Sequence, residues 1–263
     1  MMASSQAAEA SPVQTLADRR RRHLPASAAF GWLAAGWRDL WNHPYPSLVY
    51  GVLIFVVSAG VIGGLTWLRM DYILFPALAG FLVVGPLLAV GLYQKSRDIE
   101  AGQPVSLQRM LFVKAASGGQ IWFAGALLCL VMLLWVRAAT IIYALFFGLR
   151  PFPGLNDIAA MLFGTPTGLI MLAIGTAVGG LFAAFAFAIS CFGIPRLLDE
   201  DVDAFTALGS SLVMVTHNLP VMLMWGVIVM ILFLIAAATG LVGLIIIFPL
   251  LGHATWHSYK AIR

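Results

Sequence analysis

The side chains of this sequence best suited to ligand chemistry are its histidines, His23, His43, His217, His253 and His257. His253 and His257 stand four residues apart, so on a helix both imidazoles leave the same face. Neutral imidazoles at that spacing can share a metal ion or face a haem. His43 and His217 would be the further ligands, because each adjoins an Asn-x-Pro helix start, Asn42-His43-Pro44 and Asn218-Leu219-Pro220. The competing reading makes the histidines polar anchors at a membrane interface. No His-Glu-x-x-His and no neighbouring cysteine accompanies them, so the anchor reading is preferred and neither haem nor metal is expected.

Arg137 is the one formal charge inside an apolar run. If its helix starts near Gly119, about eighteen steps of ~1.5 Å carry it roughly 27 Å, close to the far headgroups. A guanidinium there can snorkel outward at modest cost. Asp71 and Asp157 are the acids expected on that side, and an ion pair with one of them is preferred to an arginine lining a solute path. No carboxylate falls inside an expected span, which argues against a proton relay. The run Asp199-Glu200-Asp201-Asp203 reads as the cap of a helix N-terminus, and Ser96-Arg97-Asp98-Ile99-Glu100 as a solvated turn. Cys129 and Cys191 sit alone in apolar runs and read as small buried hydrophobes. No phosphate-binding loop, nucleophile elbow or zinc-protease signature occurs, so no catalytic residues are assigned and an enzyme is not expected.

The elements that position these residues follow from composition. The chain has 263 residues, 61% hydrophobic and 10% charged, with a mean hydropathy of +0.95. A soluble domain carries about a quarter charged residues, so most of this surface must face lipid. Crossing a bilayer takes roughly 20 apolar residues, which places spans near 46–68, 72–93, 120–148, 167–194, 219–238 and 241–256. The last two are separated by Thr239-Gly240. Pro76 and Pro86 should kink the second span. Gly175, Gly179, Gly180, Ala183 and Ala184 mark the fourth as a close-packing helix.

Three amphipathic segments, Ala26–Trp41, Ser106–Ser117 and Val202–His217, precede pairs of spans and read as helices lying in the interface. The expected fold is therefore an all-α membrane protein of six transmembrane helices in three hairpins, each preceded by an interfacial amphipathic helix. Residues 1–25 read as a disordered, basic cytoplasmic tail ahead of a six-span domain over 26–263. That tail lacks the apolar stretch of a cleaved signal peptide. With both termini cytoplasmic, twelve lysines and arginines fall inside, and only Arg69 and Arg150 outside, as the positive-inside rule requires. The basic balance thus reports loop asymmetry, and no nucleic acid is expected. The lipid bilayer of a bacterial inner membrane is.

Four stretches carry a family resemblance: Gly36-Trp37-Arg38-Asp39-Leu40, Gly80-Phe81-Leu82-Val83-Val84-Gly85-Pro86, Gly91-Leu92-Tyr93-Gln94-Lys95-Ser96-Arg97 and Pro249-Leu250-Leu251-Gly252-His253-Ala254-Thr255-Trp256-His257. Together they resemble a bacterial family of integral membrane proteins with a domain of unknown function, over nearly the whole chain after the tail. Some members carry the label of cytochrome c oxidase subunit. A catalytic oxidase subunit holds its haems and copper with histidines deep in its helices, and none lies there here. The resemblance therefore implies an accessory or assembly protein, with a respiratory oxidase as one partner. A permease or channel for a small or lipophilic solute, and a haem or copper handler, are the alternatives.

Overall fold

The computed structural model describes residues 22, 24–148 and 155–263, with the side chains at 71, 75, 79, 155 and 156 excepted. The expected tail, 1–25, lies almost wholly outside them, as does His23. The described residues form helices and connecting turns without a strand.

Helix α1 (Ala28–Trp41) leads into α2 (Pro44–Trp67) through Asn42 and His43. His43 takes a left-handed conformation, φ 57°, and Pro44 opens the next helix with the fixed φ that suits a first turn. A short 3-10 turn, Asp71–Ile73, precedes α3 (Leu74–Leu88). The helix is interrupted at Ala89, three residues after Pro86, which has no N–H to give the helix, and resumes as α4 (Val90–Glu100). Then come α5 (Leu107–Leu111), α6 (Gly118–Phe147) and α7 (Leu155–Phe163). Helix α8 (Pro166–Ser190) is capped by the Thr165 hydroxyl, which accepts from Gly168 N at 2.9 Å. Helices α9 (Gly193–Asp199), α10 (Ala204–His217), α11 (Leu219–Ala238) and α12 (Leu244–Ile262) complete the chain. Thr239 and Gly240 do form the turn after α11. Gly240 takes φ 62°, and the Thr239 hydroxyl accepts from Gly243 N.

Two expectations need correction, and a third, the count of six spans, is met only in part. Five helical stretches are long and apolar enough to cross a membrane: Pro44–Trp67, Pro76–Glu100, Gly118–Phe147, Pro166–Asp199 and Leu219–Ala238. The sixth expected span, 241–256, does not join them. Its helix starts only at Leu244, and His253, Thr255, His257, Ser258 and Lys260 make its second half polar. The second amphipathic segment is helical over Leu107–Leu111 alone. The supposed turn at 96–100 is helix, and Lys95, Ser96 and Asp98 within α4 are buried.

Packing also departs from simple hairpins. Helix α6 lies directly on α8, but α2 packs chiefly on α12, and α3 on α6 and α8. Helix α12 is the hub, wedged against α1, α2 and α4. Its approach depends on two glycines. A β-carbon at Gly36 would stand 2.6 Å from Ala254 N, and one at Gly51 only 2.1 Å from Ile245 O. The best-buried large side chains (Tyr93, Phe192, Trp225, Trp256 and Tyr259) surround α4, α9 and α12 at the polar end of the bundle. Away from it the spans expose apolar residues such as Trp67, Leu145 and Leu181, as a lipid-facing surface requires.

Candidate functional site

The close approach of α12 to α1 and α2 sets His253 into the polar end of the bundle, completely buried. Its two ring nitrogens each meet a serine: Nε2 lies 2.9 Å from Ser47 Oγ of α2, and Nδ1 lies 2.9 Å from Ser96 Oγ of α4. Ser96 donates to Asp39 Oδ2 of α1 at 2.6 Å. One turn along α12, His257 Nε2 lies 2.8 Å from the same carboxylate oxygen. At the other end of this file, the Lys95 ammonium donates to Ser47 Oγ at 2.7 Å, His43 O at 3.0 Å and Leu40 O at 3.4 Å.

The last two acceptors explain why a lysine can be buried here. Leu40 and His43 flank the end of α1, where carbonyls have no partner in the helix and the helix dipole is negative. Lys95 caps that end. Its three donors are all engaged, so the single Ser47 proton goes to His253 Nε2. His253 must then carry its proton on Nδ1 and give it to Ser96, whose own proton goes to Asp39. Donor counting thus fixes the histidine tautomer and the direction of every bond from Lys95 to Asp39. Burial pushes the Asp39 carboxyl up, but hydrogen bonds from His257 and Ser96 outweigh it and hold the group below the usual aspartate range.

Two further ties close the polar end. Arg109 grips the buried Asp98 with two donors, Nε at 2.9 Å and Nη2 at 2.6 Å, while Gln94 donates to the same carboxylate. Ser117 donates to Glu200 O at 3.0 Å and accepts from Val202 N at 2.8 Å, fastening the start of α6 to the segment before α10. In the acidic run, Asp203 caps α10 by accepting from Thr206 N, whereas Glu200 takes Arg196 at 2.8 Å. Burial raises the Glu200 carboxyl, and the bonds from Arg196 and Tyr259 bring it below the ordinary value.

Of the four candidate ligand histidines, only His253 and His257 share this site. His43 contributes its carbonyl, but its ring faces Asn42 at the surface. His217 Nδ1 bonds Val213 O within α10. Among the described residues no three histidine, cysteine or acidic side chains gather as metal ligands. Arg137 lies exposed on α6, and no described side chain pairs with it; Asp157 is exposed on α7, and the side chain of Asp71 lies outside the described residues. Cys191 is buried, but Cys129 is exposed on α6. Sequence reasoning missed Asp39, Ser47, Lys95 and Ser96. Lys95 counted only as a basic loop residue, and a serine in an apolar run gives no signal of its own.

No curated protein and no solved structure matches the chain. The stretches at 80–86 and 91–97 fall inside the residues matched by a known family, while those at 36–40 and 249–257 fall outside them. Residues 74–199 match the family described as predicted integral membrane protein (DUF2189), and over that segment the chain is similar to these membrane proteins.

Proposed function

We propose that the chain is a non-catalytic component of a larger membrane complex, an accessory or assembly factor. The observation that carries this reading is the bare apolar surface of α2 and α8. Only 6% of the most apolar window of each corresponding span is buried within the chain. Gly60, Gly63 and Gly64 on α2, and Gly175 and Gly180 on α8, have open space where a β-carbon would stand. Small residues collect where membrane helices meet other helices, so these faces suit partner helices. The polar site adds support: both His253 nitrogens and all three Lys95 donors are taken, which leaves the cluster suited to clasping helices together.

In the same reading the chain makes six passes, with α12 as the last, and keeps both termini in the cytoplasm of a bacterial cell. Its surroundings are the inner membrane, and a respiratory oxidase is the partner class to test first. Purification in a mild detergent, followed by native mass spectrometry and an absorption spectrum, tests this. A stable complex with other membrane subunits is the expected result. A solitary chain that moves a solute when reconstituted would favour the permease reading instead. A haem band lost in H253A/H257A would favour the haem handler.

A further inference from the structure

A groove of about 720 Å³ opens at the polar end between α9, α10 and the end of α12. That volume lies within the range of about 300–1,000 Å³ typical of small-ligand sites. Its rim carries Arg22, Arg196 and Arg263, and its apolar lining includes Phe205, Val213 and Met214. We propose that this groove binds the headgroup and upper acyl region of an anionic phospholipid from the surrounding bilayer. Two independent features point to that occupant.

The first is charge. Arg196 and Arg263, with Lys260 beside them, face three carboxylates, Asp199, Glu200 and, at Lys260, Glu100. Among the described residues no acidic side chain meets Arg22, which donates to the main-chain oxygens of Ile262 and Arg263. Four basic side chains here meet three acidic ones. The acids also leave donors over, because Arg196 uses only Nε on Glu200 and Arg263 only Nη1 on Asp199 and Tyr259. The remaining guanidinium nitrogens have no partner among the described residues. Planar pairs of such donors match phosphate oxygens.

The second is the setting of α10. Its Phe205 and Leu212 are exposed, at 67% and 37%, on a helix that directly precedes the membrane span α11. Apolar exposure there is stable where acyl chains cover it. A site that combines cationic rim, apolar wall and interfacial depth is complementary to a phosphodiester carrying fatty chains. It fits a free anion or a neutral lipid less well.

Gly209 gives a clean test. It lines the groove, and nothing stands within 4 Å of where its β-carbon would be. Gly209→Phe should therefore fill the groove without touching a charge, while removing a poor helix former from α10. Native mass spectrometry of the purified protein, offered phosphatidylglycerol, phosphatidylcholine or inorganic phosphate at matched concentrations, reads the outcome. Wild type should retain phosphatidylglycerol in preference to phosphatidylcholine, and inorganic phosphate should not displace it. Gly209→Phe should lose that retention with its melting temperature unchanged. Arg196→Gln should weaken it about fivefold, the weight of one basic residue at an anionic surface; this arm decides the matter if the phenylalanine variant does not fold. Equal retention of the two lipids, undiminished retention in Gly209→Phe, or displacement by inorganic phosphate would overturn the proposal. So would a gain of lipid on deleting residues 1–21, which would assign the groove to the N-terminal segment of the chain itself.

Discussion

Lys95 and His253 do different work in the same file of hydrogen bonds, and their substitutions should fail differently. Lys95→Met strips the end of α1 of its cap and takes the donor from Ser47 Oγ. Each buried acceptor left unpaired costs roughly 1–3 kcal/mol, visible as a large drop in melting temperature in detergent. His253→Phe leaves the Ser47 proton without an acceptor and the Ser96 oxygen without a donor, each worth roughly 1–3 kcal/mol when buried unpaired. Asp39 makes the site sensitive to acid. Its folded value is depressed below the ordinary ~3.9, by His257 and Ser96 against the opposing pull of burial. Its contribution is therefore complete above the ordinary value and is lost as pH falls through the folded one. Asp39→Asn should be less stable than wild type at neutral pH and should show a flatter decline below about pH 4 in a pH series of melts. The spacing of His253 and His257 was readable in the sequence as one helical face. Their partners were not, because Asp39, Ser47 and Ser96 lie 157 to 218 residues away along pairings that only tertiary packing creates.

Among the elements, α2 has two faces with opposite demands. Toward α12, Gly51→Ala drives a β-carbon into the backbone oxygen of Ile245. Over-packing of this kind costs about 1–3 kcal/mol, and the melt of the isolated protein should fall accordingly. Toward the bilayer, Gly64→Leu meets open space and should leave that melt unchanged while abolishing co-purification of a partner subunit. An intact complex in Gly64→Leu would remove α2 from the docking surface. Helix boundaries were legible where a local signal marked them: proline after Asn42-His43 and Asn218, and Asp203 before α10. The continuation of α3 into α4 was not. Charged residues at 95–100 look like a loop in a hydropathy profile, and only their burial against α1, α12 and α9 turns them into the last turns of a helix.

For the molecule as a whole, topology is the most exposed expectation. Reporter fusions after Arg263 and between 101 and 106 should be cytoplasmic, and those at Met70 and Asn156 periplasmic; a periplasmic C-terminus would rule out six passes. The all-helical membrane class was legible from composition alone. The order of packing was not, since hydropathy finds spans but says nothing about which of them touch. That order has a consequence for biosynthesis. Chains emerge from the ribosome N-terminus first, and the residues that meet His253 come from the first hundred positions. Asp39, Ser47 and Lys95 are therefore made, and α2 to α4 inserted, well before the imidazole that joins them exists. Until α12 arrives, the opening third of the protein holds a lysine and an aspartate with no bridge between them. A truncation lost from the end of the chain is thus a lesion at its beginning, and quality-control proteases should recognise it there.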